Sequence, residues 1–310
     1  MTSSLTLDGI VPPLCTPLTA SGVVDTVSLE RLVTRELDAG VHGVFALGST
    51  GEVAFLTDAD RATVIETVVG VVAGQVPVLA GVIDMTTARV RAHAARAVEL
   101  GADGVVATAP FYTRTHEAEI DRHFRLLHEA VDAPIFAYDL PVSVGTKLDG
   151  AQLVELGEDD VIAGVKDSSG NDAALRGLVL AAKDAGLESF SILTGSEVTV
   201  DAALAFGVDG CVPGLGNVDP HAYVRLYGAA RAADWATARG EQERLCRLFS
   251  LVEAGAPARM GRGSSALGAF KVALHLLGVI DSPRTSDPYI QLDADEVAVV
   301  RERLVAADLL

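Results

Sequence analysis

An alternation of short apolar runs and longer helical segments constrains the fold of this chain more than any other feature. Eight runs rich in Val, Ala, Leu and Ile begin at residues 10, 43, 77, 104, 134, 161, 190 and 210. They begin about twenty to thirty-four residues apart, which is the length of a strand, a crossover helix and their loops. The runs are almost continuously apolar, which is typical of parallel strands covered by helices.

The segments between the runs carry helical periodicity and helix boundary signals. Residues 25–40 place four apolar side chains on one helical face and end at a glycine, and residues 57–74 begin at Thr57 or Asp58 as the capping residue. Eight strand–helix units therefore predict an α/β fold, a (β/α)8 TIM barrel over 1–230. A doubly wound open sheet is the alternative, but the first run lacks the Gly-rich dinucleotide loop that such sheets usually show.

The pattern changes near residue 221, beyond which long helical segments follow one another without a strand. We expect the last barrel helix there, and then a C-terminal helical extension over 231–310 that packs on the barrel. No low-complexity linker separates the two parts.

Composition narrows the class of protein. The formal net charge of −18 over 310 residues disfavours a nucleic-acid-binding surface, which needs a basic stripe. The three cysteines are far apart in the chain and favour a reducing compartment. No signal peptide and no apolar run of membrane length is evident. We expect a cytoplasmic protein that binds neither membrane nor nucleic acid.

Unusual polar residues follow several predicted strands at the end where a barrel builds its active site. They are Gly48–Glu52, Tyr112, Tyr138–Asp139, Lys166–Asp167 and Thr194–Glu197. Since the carboxyl ends of barrel strands meet at one mouth, these positions predict a site there.

Lys166 is the strongest candidate for a catalytic residue, because the chain has only four lysines against twenty arginines. A lysine at the end of the apolar run VIAGV is partly desolvated, which favours the neutral amine. A neutral amine attacks a ketone to form a Schiff base, whose iminium is an electron sink. The alternative is a lysine that reaches solvent or pairs with Asp167.

The other candidates are weaker taken singly. The GSTGE turn at 48–52 offers N–H groups and hydroxyls to an anion such as a carboxylate, although such turns are also common connectors. Tyr138 and Tyr112 are competent proton relays, or alternatively tyrosines of the core or of an interface. Residues 213–217, PGLGN, are interpreted as a tight loop under the pocket.

Neither a metal nor a cofactor is expected. The histidines show no metal-ligand spacing, and most of those on the helices around the fourth strand, His93, His116, His123 and His128, are predicted to be solvated. Cys15 and Cys211 are predicted to be core thiols.

Four motifs together resemble one known family. The sequences GSTGE at 48–52, PFY at 110–112, YDLP at 138–141 and GVKDSSG at 164–170 have the order and spacing of the dihydrodipicolinate synthase and N-acetylneuraminate lyase superfamily. The resemblance extends over the whole chain, including AFKVALHLLG at 269–278. Members of this superfamily are Schiff-base-forming pyruvate lyases.

The resemblance implies a role for each matching residue. Lys166 matches the lysine that forms the Schiff base, and Tyr138 matches the tyrosine that relays protons. Ser49 and Thr50 match the hydroxyl pair that holds the carboxylate of the 2-oxo acid. Tyr112 matches the tyrosine that completes the relay in the neighbouring subunit. A homo-oligomer, either a dimer or a tetramer built as a dimer of dimers, follows by analogy.

Departures from the family pattern bear on the substrate. Ser143 stands where dihydrodipicolinate synthases place the arginine that binds aspartate semialdehyde, so a charge-assisted contact is lost. Met85 and Arg89 replace residues of the lysine-feedback site, so lysine inhibition is not expected. Glu197 matches an acidic residue that faces sugar hydroxyls in some members, but Val198 lacks the second acid of sialic-acid lyases.

These features predict a Schiff-base lyase, most specifically an aldolase or dehydratase of a 2-keto-3-deoxy sugar acid. The residues expected to bind the substrate are Gly48, Thr50, Ser143, Glu197 and Val212. One alternative is a dihydrodipicolinate synthase that condenses pyruvate with aspartate semialdehyde. A second alternative is a non-catalytic protein that binds a 2-oxo acid.

Overall fold

Eight parallel strands form one curled sheet in the computed structural model, which describes residues 5–310. The sheet order is β1-β8-β7-β6-β5-β4-β3-β2, and a parallel bridge between Pro13 and Phe45 joins the segment after β1 to β2. The predicted (β/α)8 barrel is therefore confirmed. The strands β1–β8 are Gly9–Ile10, Val44–Ala46, Val78–Gly81, Gly104–Ala107, Ile135–Asp139, Gly164–Asp167, Ser191–Thr194 and Gly210–Cys211.

Helices follow the strands and surround the sheet. In chain order α1–α12 are Thr26–Asp38, Asp58–Val72, Thr87–Glu99, Glu117–His128, Pro141–Val144, Gly150–Glu158, Asp172–Asp184, Val200–Phe206, Pro220–Arg231, Trp235–Phe249, Arg262–Leu276 and Ala294–Ala306. The predicted cap of α2 is Thr57, whose hydroxyl accepts a hydrogen bond from the backbone N–H of Asp60. This bond satisfies one of the free N–H groups of the first turn.

The strands are shorter than the apolar runs that predicted them. The first run begins at Ile10 and includes Pro12 and Pro13, yet β1 ends at Ile10. Proline has no N–H to donate to a ladder, so a strand is not continued through two of them. The bridge from Pro13 to Phe45 nevertheless keeps this segment against β2.

Side chains alternate between the inside of the barrel and the layer between sheet and helices. On β5, Phe136 and Tyr138 belong to the inner cluster, whereas Ile135 and Ala137 belong to the outer core. Tyr138 is in register with Lys166 on β6, so both side chains point inward. The adjacent Asp139 and Asp167 consequently point outward.

The C-terminal helices pack on the barrel helices and on one another. Helix α10 packs against α8 and α9, and α11 packs against α12 and the 3-10 helix Gly214–Asn217 that follows β8. The division of the chain into 1–230 and 231–310 stays a prediction. Among residues 5–310, no helix is long and apolar enough to cross a membrane.

Candidate active site

Lys166 and Tyr138 lie side by side inside the barrel, at the carboxyl ends of β6 and β5. The Lys166 amine is 4.1 Å from the centroid of the Tyr138 ring and 4.9 Å from that of Phe45. Lys166 is only 6% exposed and Tyr138 only 3%. The amine is therefore held against aromatic faces that attract it when it is charged and that exclude water around it.

The Tyr138 phenol links the lysine to the GSTGE turn. Its hydroxyl lies 3.4 Å from the Ser49 hydroxyl. Burial opposes ionisation of the phenol, but the charge of Lys166 and hydrogen bonds with Ser49, Ser168 and Lys166 outweigh it and lower the pKa of Tyr138. A phenol with a lowered pKa exchanges protons near neutral pH more readily than an ordinary tyrosine.

The GSTGE turn is tightly wound at the end of β2. The N–H of Gly51 donates to the Gly48 carbonyl over 3.0 Å, and the N–H of Glu52 donates to the Ser49 carbonyl over 3.1 Å. A Cβ at Gly48 would lie 2.7 Å from the Phe45 ring, so the close approach of the turn to that ring requires glycine. The turn presents Ser49 and Thr50 at the mouth, with Ser49 against Tyr138.

Glu197 lies across from this turn, on the loop after β7. Its carboxylate accepts a hydrogen bond from the N–H of Leu215 in the 3-10 helix after β8. Burial raises the pKa of Glu197 to about 7, against hydrogen bonds from Leu215 and Gly214 and the charge of Lys166. A Cβ at Gly214 would lie 3.2 Å from Glu197 Oε1 and 3.3 Å from Thr50 Oγ1, so this carboxyl and this hydroxyl both flank Gly214.

Ser143 lies at the mouth, whereas Val212 lies inside the barrel. Ser143 and Ser49 line the same cavity, whose volume is about 240 Å³ and which also reaches Thr108 and Tyr289. Val212 is buried inside the barrel in the cluster that contains Tyr138. The structure thus places Ser143 in the cavity beside Ser49, and Val212 in the core beside Tyr138.

Tyr112 stands apart from the others in the single chain. It is 92% exposed and has φ of 71°, a left-handed conformation that non-glycine residues rarely adopt. Its predicted role in a neighbouring subunit stays a prediction.

Sequence reasoning missed a charge cluster behind the site. Lys147 forms ion pairs with Asp139 and, over 3.5 Å, with Asp167, and both carboxylates are almost fully buried. Asp167 also accepts hydrogen bonds from the N–H and hydroxyl of Ser169. The alternative in which Asp167 pairs with Lys166 is therefore wrong, because neighbouring residues on a strand face opposite sides. The rarity of lysine was the available signal for Lys147.

Removing the Lys147 charge should destabilise the fold. We expect Lys147→Met to lower the free energy of unfolding by about 2–4 kcal/mol, because two buried carboxylates lose their cation. Urea unfolding measures the change. Arg247→Met breaks the exposed pair with Glu243 and is the matched control, expected to stay within about 0.5 kcal/mol of wild type. Equal midpoints for the two variants would contradict the assignment.

The histidines differ in part from expectation. His116 is exposed and caps α4, but His123 is buried, and its Nδ1 lies 2.9 Å from the Thr87 hydroxyl. Burial lowers the pKa of His123 to about 4, so it is neutral at physiological pH. His123 is an exception to the prediction that most of these histidines are solvated, because it lies on the face of α4 that packs inward, beside Phe124. No three His, Cys, Asp or Glu side chains within residues 5–310 are grouped as metal ligands.

The cysteine prediction is confirmed. Cys15 and Cys211 are buried free thiols. Burial raises the pKa of Cys15 to about 12 and raises that of Cys211 as well. Neither thiol ionises readily, so neither is suited to act as a nucleophile.

Comparison with known proteins matches the chain from end to end. The model of the "Dihydrodipicolinate synthetase family" matches residues 6–307. An uncharacterised DapA-like lyase of Halobacterium salinarum is 37% identical over 306 residues, which is 99% of this chain and 96% of the relative. A 4-hydroxy-tetrahydrodipicolinate synthase of Methanosphaerula palustris is 30% identical over 304 residues, 97% of this chain and 99% of the relative.

Solved structures show the same similarity. YagE of Escherichia coli K12, a prophage protein of the dihydrodipicolinic acid synthase family solved in complex with pyruvate, has a TM-score of 0.91 and 29% identity. The match covers 98% of this chain and 99% of YagE. A dihydrodipicolinate synthase of Bacteroides thetaiotaomicron has a TM-score of 0.90 and 31% identity, with 97% and 98% of the two chains covered.

Proposed function

Because the chain belongs to the dihydrodipicolinate synthetase family of lyases, we propose that it is a Schiff-base-forming lyase for a 2-oxo acid. The observation that supports this most is the buried Lys166 amine, 4.1 Å from the Tyr138 ring at the carboxyl end of the barrel. YagE, a relative of the same fold, was solved in complex with pyruvate, which is a 2-oxo acid.

The proposed first stage joins substrate to enzyme. The neutral Lys166 amine attacks C2 of the 2-oxo acid, and the carbonyl oxygen takes a proton through Tyr138 to give a carbinolamine. Loss of the C2 hydroxyl as water then leaves an iminium between C2 and Nζ. Ser49 and Thr50 hold the carboxylate, and the 3.4 Å approach of Ser49 to Tyr138 links carboxylate binding to proton transfer.

The second stage uses the iminium as an electron sink. In an aldolase, the C4 hydroxyl loses its proton and becomes a carbonyl, the C3–C4 bond breaks, and its electron pair forms the enamine. The enamine then takes a proton at C3, which restores the iminium. In a dehydratase, C3 loses a proton and the C4 hydroxyl leaves as water. Tyr138 moves the proton in either case, and hydrolysis of the iminium releases the product.

The preferred substrate is a 2-keto-3-deoxy sugar acid. Ser143, which lines the cavity beside Ser49, offers a hydroxyl and no positive charge to the second reactant. A hydroxylated tail suits that lining better than the carboxylate of aspartate semialdehyde, which a cationic partner would stabilise. The second candidate is dihydrodipicolinate synthase, which the names of several relatives favour.

We also propose a homo-oligomer, a dimer or a dimer of dimers, in which Tyr112 contacts a neighbouring protomer. Its 92% exposure in the single chain is what an interface residue requires. The exposed ring carries a large apolar area, which contact with a second copy would bury.

One experiment tests the function and a second separates the candidates. Borohydride reduction in the presence of pyruvate, followed by peptide mass spectrometry, is expected to give an adduct at Lys166. A panel of 2-keto-3-deoxy sugar acids is then compared with pyruvate plus aspartate semialdehyde. The sugar acids are expected to have the higher kcat/KM. Absence of an adduct would overturn the mechanism, and efficient condensation with the semialdehyde would overturn the substrate preference.

The Glu197 carboxyl predicts a pH dependence of substrate affinity. Its pKa is raised to about 7, so below pH 7 it is neutral and above pH 7 it carries a negative charge near Thr50. That charge repels the substrate carboxylate, so KM for pyruvate should rise roughly fivefold to tenfold from pH 6 to pH 8.5. Glu197→Gln should show a smaller rise. The other titratable groups of the site are the same in wild type and in Glu197→Gln. Identical dependence of KM on pH in the two proteins would therefore refute a role of the Glu197 charge.

A further inference from the structure

A buried ion pair joins the GSTGE turn to helix α11 of the C-terminal segment. The Lys271 ammonium contacts Glu52 Oε1, and the two side chains are only 1% and 0% exposed. Removing two charges from water is costly, so a pair at this depth is weak evidence for a stabilising role. Fold stability alone therefore does not explain why this ion pair is present.

Both members of this ion pair also form hydrogen bonds with the backbone of residues 284–286. The Lys271 ammonium donates to the Arg284 carbonyl over 2.8 Å. The N–H of Ser286 donates to Glu52 Oε2 over 2.6 Å. The Glu52 side chain is thus anchored at two points, by α11 and by the segment 284–286.

The backbone of Glu52 transmits this anchoring to the hydroxyls of the turn. Glu52 has φ of 57°, a left-handed conformation that costs energy in a residue with a Cβ and that surrounding contacts must impose. Its N–H donates to the Ser49 carbonyl, which closes the turn around Thr50. A shift of Glu52 would therefore move both hydroxyls relative to Tyr138.

We infer that Glu52 and Lys271 are positioning residues that hold Ser49 and Thr50 in place for the 2-oxo acid carboxylate. The inference rests on the proposed function. It makes the C-terminal segment part of the apparatus that binds substrate. The Lys271 ammonium and both Glu52 carboxylate oxygens are held by partners within the protein. Breaking the pair is therefore expected to displace the hydroxyls that bind the carboxylate, and so to act on affinity more than on turnover.

Four proteins test this inference alongside wild type: Lys271→Met, Glu52→Gln, the double variant, and Arg259→Met as the control. The double variant leaves no unpaired charge and is expected to recover thermal stability toward wild type. Arg259→Met breaks the ion pair with Glu296, which lies in the same C-terminal segment but does not contact the turn.

Substrate affinity is read from the pyruvate concentration that half-saturates borohydride trapping at Lys166, and turnover from kcat. The two single variants and the double variant are expected to need about tenfold more pyruvate, with kcat lowered by less than that factor. The control should lose stability and keep the wild-type half-saturation. If a single variant fails to fold, the half-saturating pyruvate concentration of the double variant tests the inference.

Amide hydrogen exchange measures the order of the turn without depending on the catalysed reaction. Exchange at Glu52 and Val53 should be faster in the double variant and unchanged in Arg259→Met. Wild-type half-saturation together with wild-type exchange in the double variant would overturn the inference. A wild-type protein without an adduct would instead overturn the proposed function, while exchange would still report whether the pair orders the turn.

Discussion

Replacing Lys166 with methionine is expected to abolish both the pyruvate adduct and lyase activity, with kcat reduced at least about 10⁴-fold. Methionine keeps much of the side-chain length between the Tyr138 and Phe45 rings, so the barrel interior stays filled. The nucleophilic amine is what the variant lacks. Activity and borohydride trapping on the same preparations measure the effect.

One further variant separates nucleophilicity from charge, and a second is the control. Lys166→Arg retains a cation, but arginine stays protonated and cannot attack a carbonyl at neutral pH, so it should be as inactive as Lys166→Met. Lys183 is exposed on α7, and Lys183→Met should keep wild-type activity and adduct. An adduct in either Lys166 variant would show that another group is the nucleophile.

Replacing Tyr138 with phenylalanine is expected to lower kcat about 10²- to 10³-fold while KM changes little. The ring stays over Lys166, whereas the hydroxyl next to Ser49 is lost. Because the pKa of Tyr138 is lowered, wild-type activity should show a titration below that of an ordinary tyrosine. The phenylalanine variant should lack this titration.

Tyr227→Phe is the matched control for this prediction. Tyr227 is also largely buried, but its ring packs against His42 at 4.9 Å, away from the residues that line the mouth. It should retain kcat within about twofold of wild type, since no proton relay is lost there. A similar kcat for both phenylalanine variants would argue against a proton relay through Tyr138.

Three of the four lysines have specific buried neighbours, so the rarity of lysine pointed to more than Lys166. Lys166 faces Tyr138, Lys147 pairs with Asp139 and Asp167, and Lys271 pairs with Glu52. Lys147 is partly exposed, and Lys183 is exposed on helix α7. The ammonium groups of Lys147 and Lys271 reach carboxylates that are at most 5% exposed.

Local patterns were sufficient for the barrel and for the proposed nucleophile. Apolar runs spaced for strand–helix units predicted the parallel sheet, and VIAGV before Lys166 placed that lysine at a strand end. These inferences succeed because burial of a strand or helix face leaves a periodic trace in neighbouring residues. The sequence did not single out His123 as the buried histidine, because its burial depends on which face of α4 packs inward.

The sequence by itself determined the architecture, the family and the set of polar residues at the strand ends. Only the tertiary structure decided how those residues are held: Lys147 across two outward carboxylates, Glu197 beside Thr50, and Glu52 tied to Lys271 across 219 positions of the chain. The physical reason is that ion pairs and hydrogen bonds between distant segments depend on a few ångströms of packing. No periodicity in the sequence records that distance.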